Sequence, residues 1–326
     1  MYSKKLVVVL LTIAIIGVCA LVLGCTSSSP SPTATTTATT PTSTPVQTTA
    51  SITIGGSTTV QPLSTILVDA YMKNNSGVKI TVTGGGSGAG ETGVGSGTLD
   101  IGSASEIVPA SVMTQYPNII TYTIGGSGVC VIVGTSVQVP ANGFSIKDLA
   151  ASYVTGQPVA NLSSAGVKDI YTRADNPSGT ADAMGSYLFT SANKSWIYAN
   201  ATNNLKTAQG NDGMVAAIQS DPNGLAFVDF GFTQNANGIQ IPAVQDLNGT
   251  VYTVNAANIK GALKDFFAKQ TSSTHYPIKL VRPLNYLTNG QPSPAVLAYI
   301  NYANSSSAEF AYQQCGYFSM SDINNA

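Results

Sequence analysis

Residues Thr172-Arg173-Ala174-Asp175-Asn176-Pro177-Ser178-Gly179-Thr180 hold the parts of a site for a small tetrahedral oxyanion. Arg173 sets a permanent positive charge five residues ahead of Ser178. Its planar fork suits bidentate contact with an anion. The residues that follow, Ala181 to Phe189, read as a helix. A turn of hydroxyls and glycine that opens a helix offers N–H groups with no intrahelical partner, at the positive end of the dipole. Asp175 is placed to hold the guanidinium in one orientation while its other edge faces a ligand. The chain has one other arginine, Arg282.

Three further turns share this chemistry: Gly55-Gly56-Ser57-Thr58-Thr59, Gly84 to Gly90 around Ser87, and Gly102-Ser103-Ala104-Ser105-Glu106. Each follows a predicted strand. Ligands of open α/β sheets sit beyond the carboxyl ends of strands, where such turns converge. From the residues alone, two readings stay open: one shared anion site, or four ordinary loops in a Ser- and Gly-rich chain. Rival motifs are weaker. Gly88-Ala89-Gly90-Glu91-Thr92-Gly93 mimics a dinucleotide fingerprint, but it does not follow the first strand, and an exported chain meets little nucleotide cofactor. Ser87 has Gly85 at −2 but Ala89 at +2, so a hydrolase elbow is imperfect, and His275 is the one histidine available as its base.

The elements that must position these turns follow from periodicity. Ser51 to Ile54, Val78 to Thr83 and Leu99 to Gly102 read as strands, Val60 to Met72 as a helix, and a short helix follows Gly84 to Gly90. The continuous apolar runs Gly128 to Val133 and Gly224 to Phe230 read as strands buried on both faces. A helix is expected around Met214 to Ser220, a strand at Tyr276 to Val281 and a long helix over Ser293 to Ala311. The order of strand, Ser/Thr/Gly turn and helix predicts an α/β fold. The two apolar runs are expected to cross between lobes, with lobe 1 formed by 51–127 plus 240–326 and lobe 2 by 128–239.

The N-terminus begins with Lys4-Lys5, an apolar or small run from Leu6 to Leu23, and Gly24-Cys25. This is the pattern of a lipoprotein signal at 1–25, with lipid on Cys25. The alternative is an uncleaved anchor, since a span needs roughly 17–25 residues. Both readings put the rest of the chain outside the cell. Twenty of the 25 residues 26–50 are Ser, Thr or Pro, the composition of a tether rather than a core. Charged residues are 9% of the chain and the net charge is −1, which argues against nucleic acid. One histidine and no cysteine cluster argue against a zinc site. Cys130 and Cys315 either pair or stay as buried thiols. Sequons at Asn74, Asn161, Asn193, Asn200, Asn248 and Asn304 are common in so Asn- and Ser-rich a chain.

The segments Gly55 to Leu63, Gly84 to Gly90, Asp100 to Ser105, Arg173 to Thr180, Gly224 to Phe230 and Arg282-Pro283-Leu284 through Tyr302 follow one another in an order that resembles the phosphate-binding lipoproteins of high-affinity phosphate ABC importers. The resemblance spans nearly all of 51–326. It implies a type II periplasmic-binding-protein fold, with two α/β lobes joined by two crossover strands and closing on dehydrated phosphate. It implies no enzyme activity and no cofactor, but a membrane-anchored monomer that serves permease subunits. The resemblance carries ligand roles to Thr58, Thr59, Ser87, Ser105, Arg173, Ser178, Gly179 and Thr180, with Asp175 supporting Arg173. Two departures stand out. Asn176-Pro177 makes the Ser-Gly-Thr turn one residue longer. The third turn carries Glu106 where the family has Asp or a Ser-Arg pair. A carboxylate there accepts the proton of hydrogen phosphate and disfavours a fully ionised anion; Glu106 either plays that part or points to solvent, leaving Ser105 as the contact. Other oxyanions (sulfate, molybdate, tungstate), an exported hydrolase and a phosphate sensor remain the alternatives.

Overall fold

The computed structural model describes residues 49–325. The signal, Cys25 and nearly all of the tether lie outside the described residues.

The chain lays down β1 (Ala50–Gly56), α1 (Val60–Asn74), β2 (Val78–Thr83), α2 (Ser87–Gly95), β3 (Ile101–Ala104) and β4 (Ile119–Gly134). There follow α3 (Ile146–Thr155), β5 (Asp169–Arg173), α4 (Gly179–Leu188), β6 (Lys206–Ala208), α5 (Gly210–Ser220) and β7 (Gly224–Asp229). The last part brings α6 (Ala256–Phe267), β8 (Val281–Asn289), α7 (Pro294–Ala303) and α8 (Glu309–Cys315). The main path of the sheet runs β2-β1-β3-β8-β4-β7-β5-β6. Neighbours at both ends are parallel, whereas β8 and β4 are antiparallel to their neighbours.

The 16-residue β4 is the spine of this arrangement. Ile119 to Gly128 pair with β8, and Val129 to Val133 pair with β7. The hand-over at Gly128 and Val129 brings the first residues of β8 next to the last residue of β7. This register sets the electrostatics of the site described below.

Two large apolar clusters flank the sheet. One gathers Ile52, Ile54, Leu63, Leu67, Tyr286, Tyr299 and Tyr312. Its tyrosines keep their hydroxyls bonded: Tyr286 to Ser64 at 2.8 Å and to Tyr299 at 3.1 Å, and Tyr312 to the Ala303 carbonyl at 2.9 Å. The other gathers Val129 to Val133, Tyr153, Met184, Leu225 to Val228, and also Ile259, Leu263 and Tyr276 from the later segment. Burying such side chains contributes about 1.5–3 kcal/mol each.

Four sequence expectations change. Leu99 and Asp100 precede β3, because the Asp100 carboxylate accepts from the Thr53 amide and hydroxyl and so holds a turn there. The glycine turn ends at Gly86, and Gly88 and Gly90 lie inside α2. Gly90 serves close packing: a Cβ there would sit 2.4 Å from the Ser103 carbonyl oxygen. Tyr276 to Leu280 is no strand but a loop and a 3-10 turn (Ile278–Leu280), closed by the Leu280 amide on the Pro277 carbonyl. The late helix is two helices, α7 and α8. The serine run 305–307 breaks it, and the Ser305 hydroxyl bonds the Tyr302 carbonyl. Cys130 and Cys315 are buried free thiols. Among the described residues no helix is long and apolar enough to cross a membrane.

Candidate functional site: a hydroxyl cluster between two buried arginines

All four turns converge. Ser57 and Ser87 both reach Ser105, at 2.9 and 3.4 Å, and the Ser105 amide donates to Ser87 Oγ at 3.1 Å. Thr59 and Thr180 hydroxyls lie 3.4 Å apart. Ser57, Thr59, Ser87, Ser105, Ser178 and Thr180 are all buried. Each stands where a strand ends or a helix begins. Ser57 anchors the first turn by accepting from the Thr59 and Val60 amides, at 3.2 and 3.3 Å. Ser87 opens α2, and Gly86 before it needs its φ of 92°, a conformation that glycine adopts without strain. Ser178 caps α4 by accepting from the Ala181 amide. The first-turn amides of Gly179 and Thr180 therefore have no intrahelical partner. The Asn176-Pro177 bond is cis.

Gly179 lies where α4 meets the serines. A Cβ added there would stand 2.7 Å from the Ser105 carbonyl oxygen and 2.9 Å from the hydroxyls of Ser87 and Ser105. Gly179→Ala should therefore push the start of α4 away from the cluster. We expect a stability loss of about 1–3 kcal/mol, the usual range for overpacking, together with weaker anion binding. A melting curve and an anion titration check this; wild-type values in both would show that the close approach at Gly179 is dispensable.

Arg173 departs from expectation. Its guanidinium was expected to offer one edge to a ligand. Instead Nε and Nη2 both bind Asp175, at 2.8 and 2.6 Å, Nη1 binds Asn211 at 3.0 Å, and Nη2 also binds Thr58 at 2.8 Å. The side chain is buried, so each donor has sought a protein acceptor. Asp175 also accepts from the Gly210 amide at 3.1 Å. Burial pushes the Asp175 carboxyl up, but Arg173 and the Gly210 amide outweigh it and hold it below the usual range.

Sequence reasoning did not assign roles to Ser57, Asn211, Tyr198, Asp229 or Arg282. Asn211 donates to Thr59 at 2.9 Å and accepts from Arg173, which ties the first turn to β5. Tyr198 accepts from the Ser178 amide at 3.0 Å. Asp229 and Arg282 form a buried ion pair at 2.7 Å. Asp229 also accepts from Ser127 and from the Gly231 amide, while Arg282 Nη2 reaches Thr59 and Thr180 at 3.0 Å each. The sequence signals for this pair were the scarcity of arginine and the place of both residues in segments that carry the family resemblance.

Glu106 is buried and lines a cavity of about 280 Å³ with Ser105, Gly179, Asp182, Lys279 and Arg282. Burial pushes its carboxyl up to about 7; Asp182 adds to the rise, while Arg282, Ser87 and Lys194 oppose it. Glu91, behind it on α2, is pushed up to about 8 by burial and by Glu106 and Asp182. Ser87 engages Ser105 and Glu106. His275 packs its ring against Gly261 of α6.

The chain belongs to the PBP superfamily, whose domain model matches residues 31–307. Among solved structures it is similar to a Clostridium perfringens chain with bound phosphate. That match has a TM-score of 0.65 and 17% identity, and covers 83% of this chain and 99% of that one. It is also similar to an ABC-type phosphate transport receptor from Vibrio cholerae, with a TM-score of 0.59, 20% identity and coverage of 82% and 99%. A third, the periplasmic phosphate-binding protein PfluDING bound with phosphate, gives a TM-score of 0.61, 14% identity and coverage of 84% and 92%. At these identities the likeness is one of fold.

Proposed function

We propose that this chain is an exported solute-binding protein that captures inorganic phosphate and delivers it to the permease subunits of an ABC importer. One observation carries the reading: four Ser/Thr/Gly turns, from residues 57 to 180, converge on one buried hydroxyl cluster flanked by two guanidinium groups. The phosphate-bound neighbours of the same fold support it. In this reading Thr58, Thr59, Ser87, Ser105, Ser178, Gly179 and Thr180 supply donors, with Arg173 and Asp175 as a rigid polar wall. Donors come from segments 51–127 and 128–239, so closure of two such lobes on the ion shifts the open–closed population without covalent chemistry. A lipid on Cys25 and the 26–50 tether hold the protein at the outer face of the membrane.

Glu106 sets the choice among anions. Ionised, it accepts the proton of hydrogen phosphate and repels a fully ionised anion; protonated, it donates and tolerates sulfate. With its carboxyl at about 7, the preference for phosphate over sulfate should grow between about pH 6 and pH 8. Glu106→Gln should flatten that trend, as read by competition titration. The sign for stability follows from the same shift. A carboxyl raised from 4.5 to about 7 keeps its proton in the folded state over that interval, so stability falls as pH rises through it. A phosphate preference that does not vary with pH in the wild type would remove Glu106 from the choice.

The test of the function is calorimetric titration of the anion-stripped protein with phosphate, then sulfate. Tight phosphate binding that excess sulfate leaves intact is the expected result. Binding of sulfate or molybdate alone overturns the ligand, and no oxyanion binding overturns the reading.

A further inference from the structure

Arg282 is 3% exposed and carries the site's unspent donors. Its Nη2 binds Asp229 at 2.7 Å and Thr59 and Thr180 at 3.0 Å each. Its Nε and Nη1 are buried without a hydrogen-bond partner. Leaving a buried donor of a charged group unbonded costs more than an ordinary hydrogen bond contributes, so native proteins seldom retain one. The two lie on different sides of the guanidinium, and each is a charged donor open to one oxygen of an oxyanion. Arg173 has no such open donor, since its donors end on Asp175, Asn211 and Thr58. Glu106 shares the cavity with Arg282, and its Oε1 is also buried and unpartnered.

We propose that Arg282 is a direct ligand of the bound oxyanion: an open donor of its guanidinium, Nε or Nη1, takes an unprotonated oxygen while the protonated oxygen donates to Glu106. The inference rests on the phosphate reading and names the charged group that meets the ion. The two hydroxyls that Nη2 already holds, Thr59 and Thr180, come from the first turn and the start of α4 and lie 3.4 Å apart. Arg282 therefore also fixes the spacing of the donors it works with. A monoprotonated tetrahedral anion satisfies both an open guanidinium donor and the open carboxylate oxygen. A fully ionised one satisfies the guanidinium donor alone.

The test compares phosphate affinity with unliganded melting temperature in the full chain. Arg282→Lys keeps a cation for Asp229 but removes the open Nε and Nη1 donors. It should melt near the wild type without ligand and bind phosphate on the order of 10-fold more weakly, the loss of one charge-assisted bond. The double variant R282Q/D229N removes both buried charges together and should lose affinity to at least the same degree. Wild-type affinity in a folded Arg282→Lys or in the folded double variant overturns the proposal, whatever the melting temperature. If the double variant fails to fold, Arg282→Lys decides. The wild-type titration is read separately: binding of a different oxyanion would overturn phosphate as ligand, and the same variants then judge Arg282 against that anion. Absence of all oxyanion binding overturns both.

Discussion

Arg173→Ala is expected to lower stability by about 3–5 kcal/mol as well as to damage anion binding, the range for removing one partner of a buried ion pair. The residue sequence would suggest a side chain that serves only the ligand, whose loss leaves the fold intact. The geometry says otherwise. Arg173 is among the largest fully buried side chains, and its removal takes a charged donor from Asp175, Asn211 and Thr58 at once. The Asp175 carboxylate would remain buried, held by the Gly210 amide and its own amide alone. The pH dependence gives an internal check. Asp175 has a lowered folded-state value, so its pairing stabilises the protein above the usual carboxylate range and that contribution is lost as pH falls. The gap between wild type and Arg173→Ala should therefore narrow in acid. Denaturant melts at neutral and acid pH measure it. A variant as stable as the wild type at neutral pH would show that the Arg173–Asp175 pair does not support the fold.

Asp229→Ala should be as costly, again about 3–5 kcal/mol. Asp229 is fully buried, and it accepts from Arg282, from Ser127 at 2.7 and 2.8 Å and from the Gly231 amide at 3.0 Å. Removing it leaves a charged guanidinium without its counter-ion at the point where β4 hands over from β8 to β7. Removing both charges, as in R282Q/D229N, should cost much less, because a neutral pair leaves no uncompensated charge. Equilibrium unfolding of the two variants side by side makes the comparison. A double variant as unstable as the single one would mean that something other than the pairing holds this junction.

Local patterns were legible in the sequence because they depend on neighbours a few residues apart. Alternation at Val78 to Thr83 gave β2, helical spacing from Val60 gave α1, and the continuous runs at Gly128 and Gly224 gave the buried strands β4 and β7. The failures were local rules overridden by distant contacts. Glycines 88 and 90 looked like turn residues, yet they are helical because α2 must pass close to Ser103. Tyr276 to Leu280 alternated like a strand, but Pro277 and the Tyr276 hydroxyl bond to the Val129 carbonyl turned it into a loop.

The chain's residues by themselves determined the donor chemistry of the turns. The Ser/Thr/Gly turns after strands and the single Arg173–Asp175 motif offered the parts of an anion site, because each turn's donors are set by residues adjacent in the chain. Only the tertiary structure decided which donors remain free. Arg173 found acceptors at Asn211 and Thr58, far away in sequence, whereas Arg282 met Asp229 through the register of β4 with β8 and β7. Hydrogen-bond satisfaction in a buried cluster is a property of the whole set of neighbours. No spacing rule along the chain contains it.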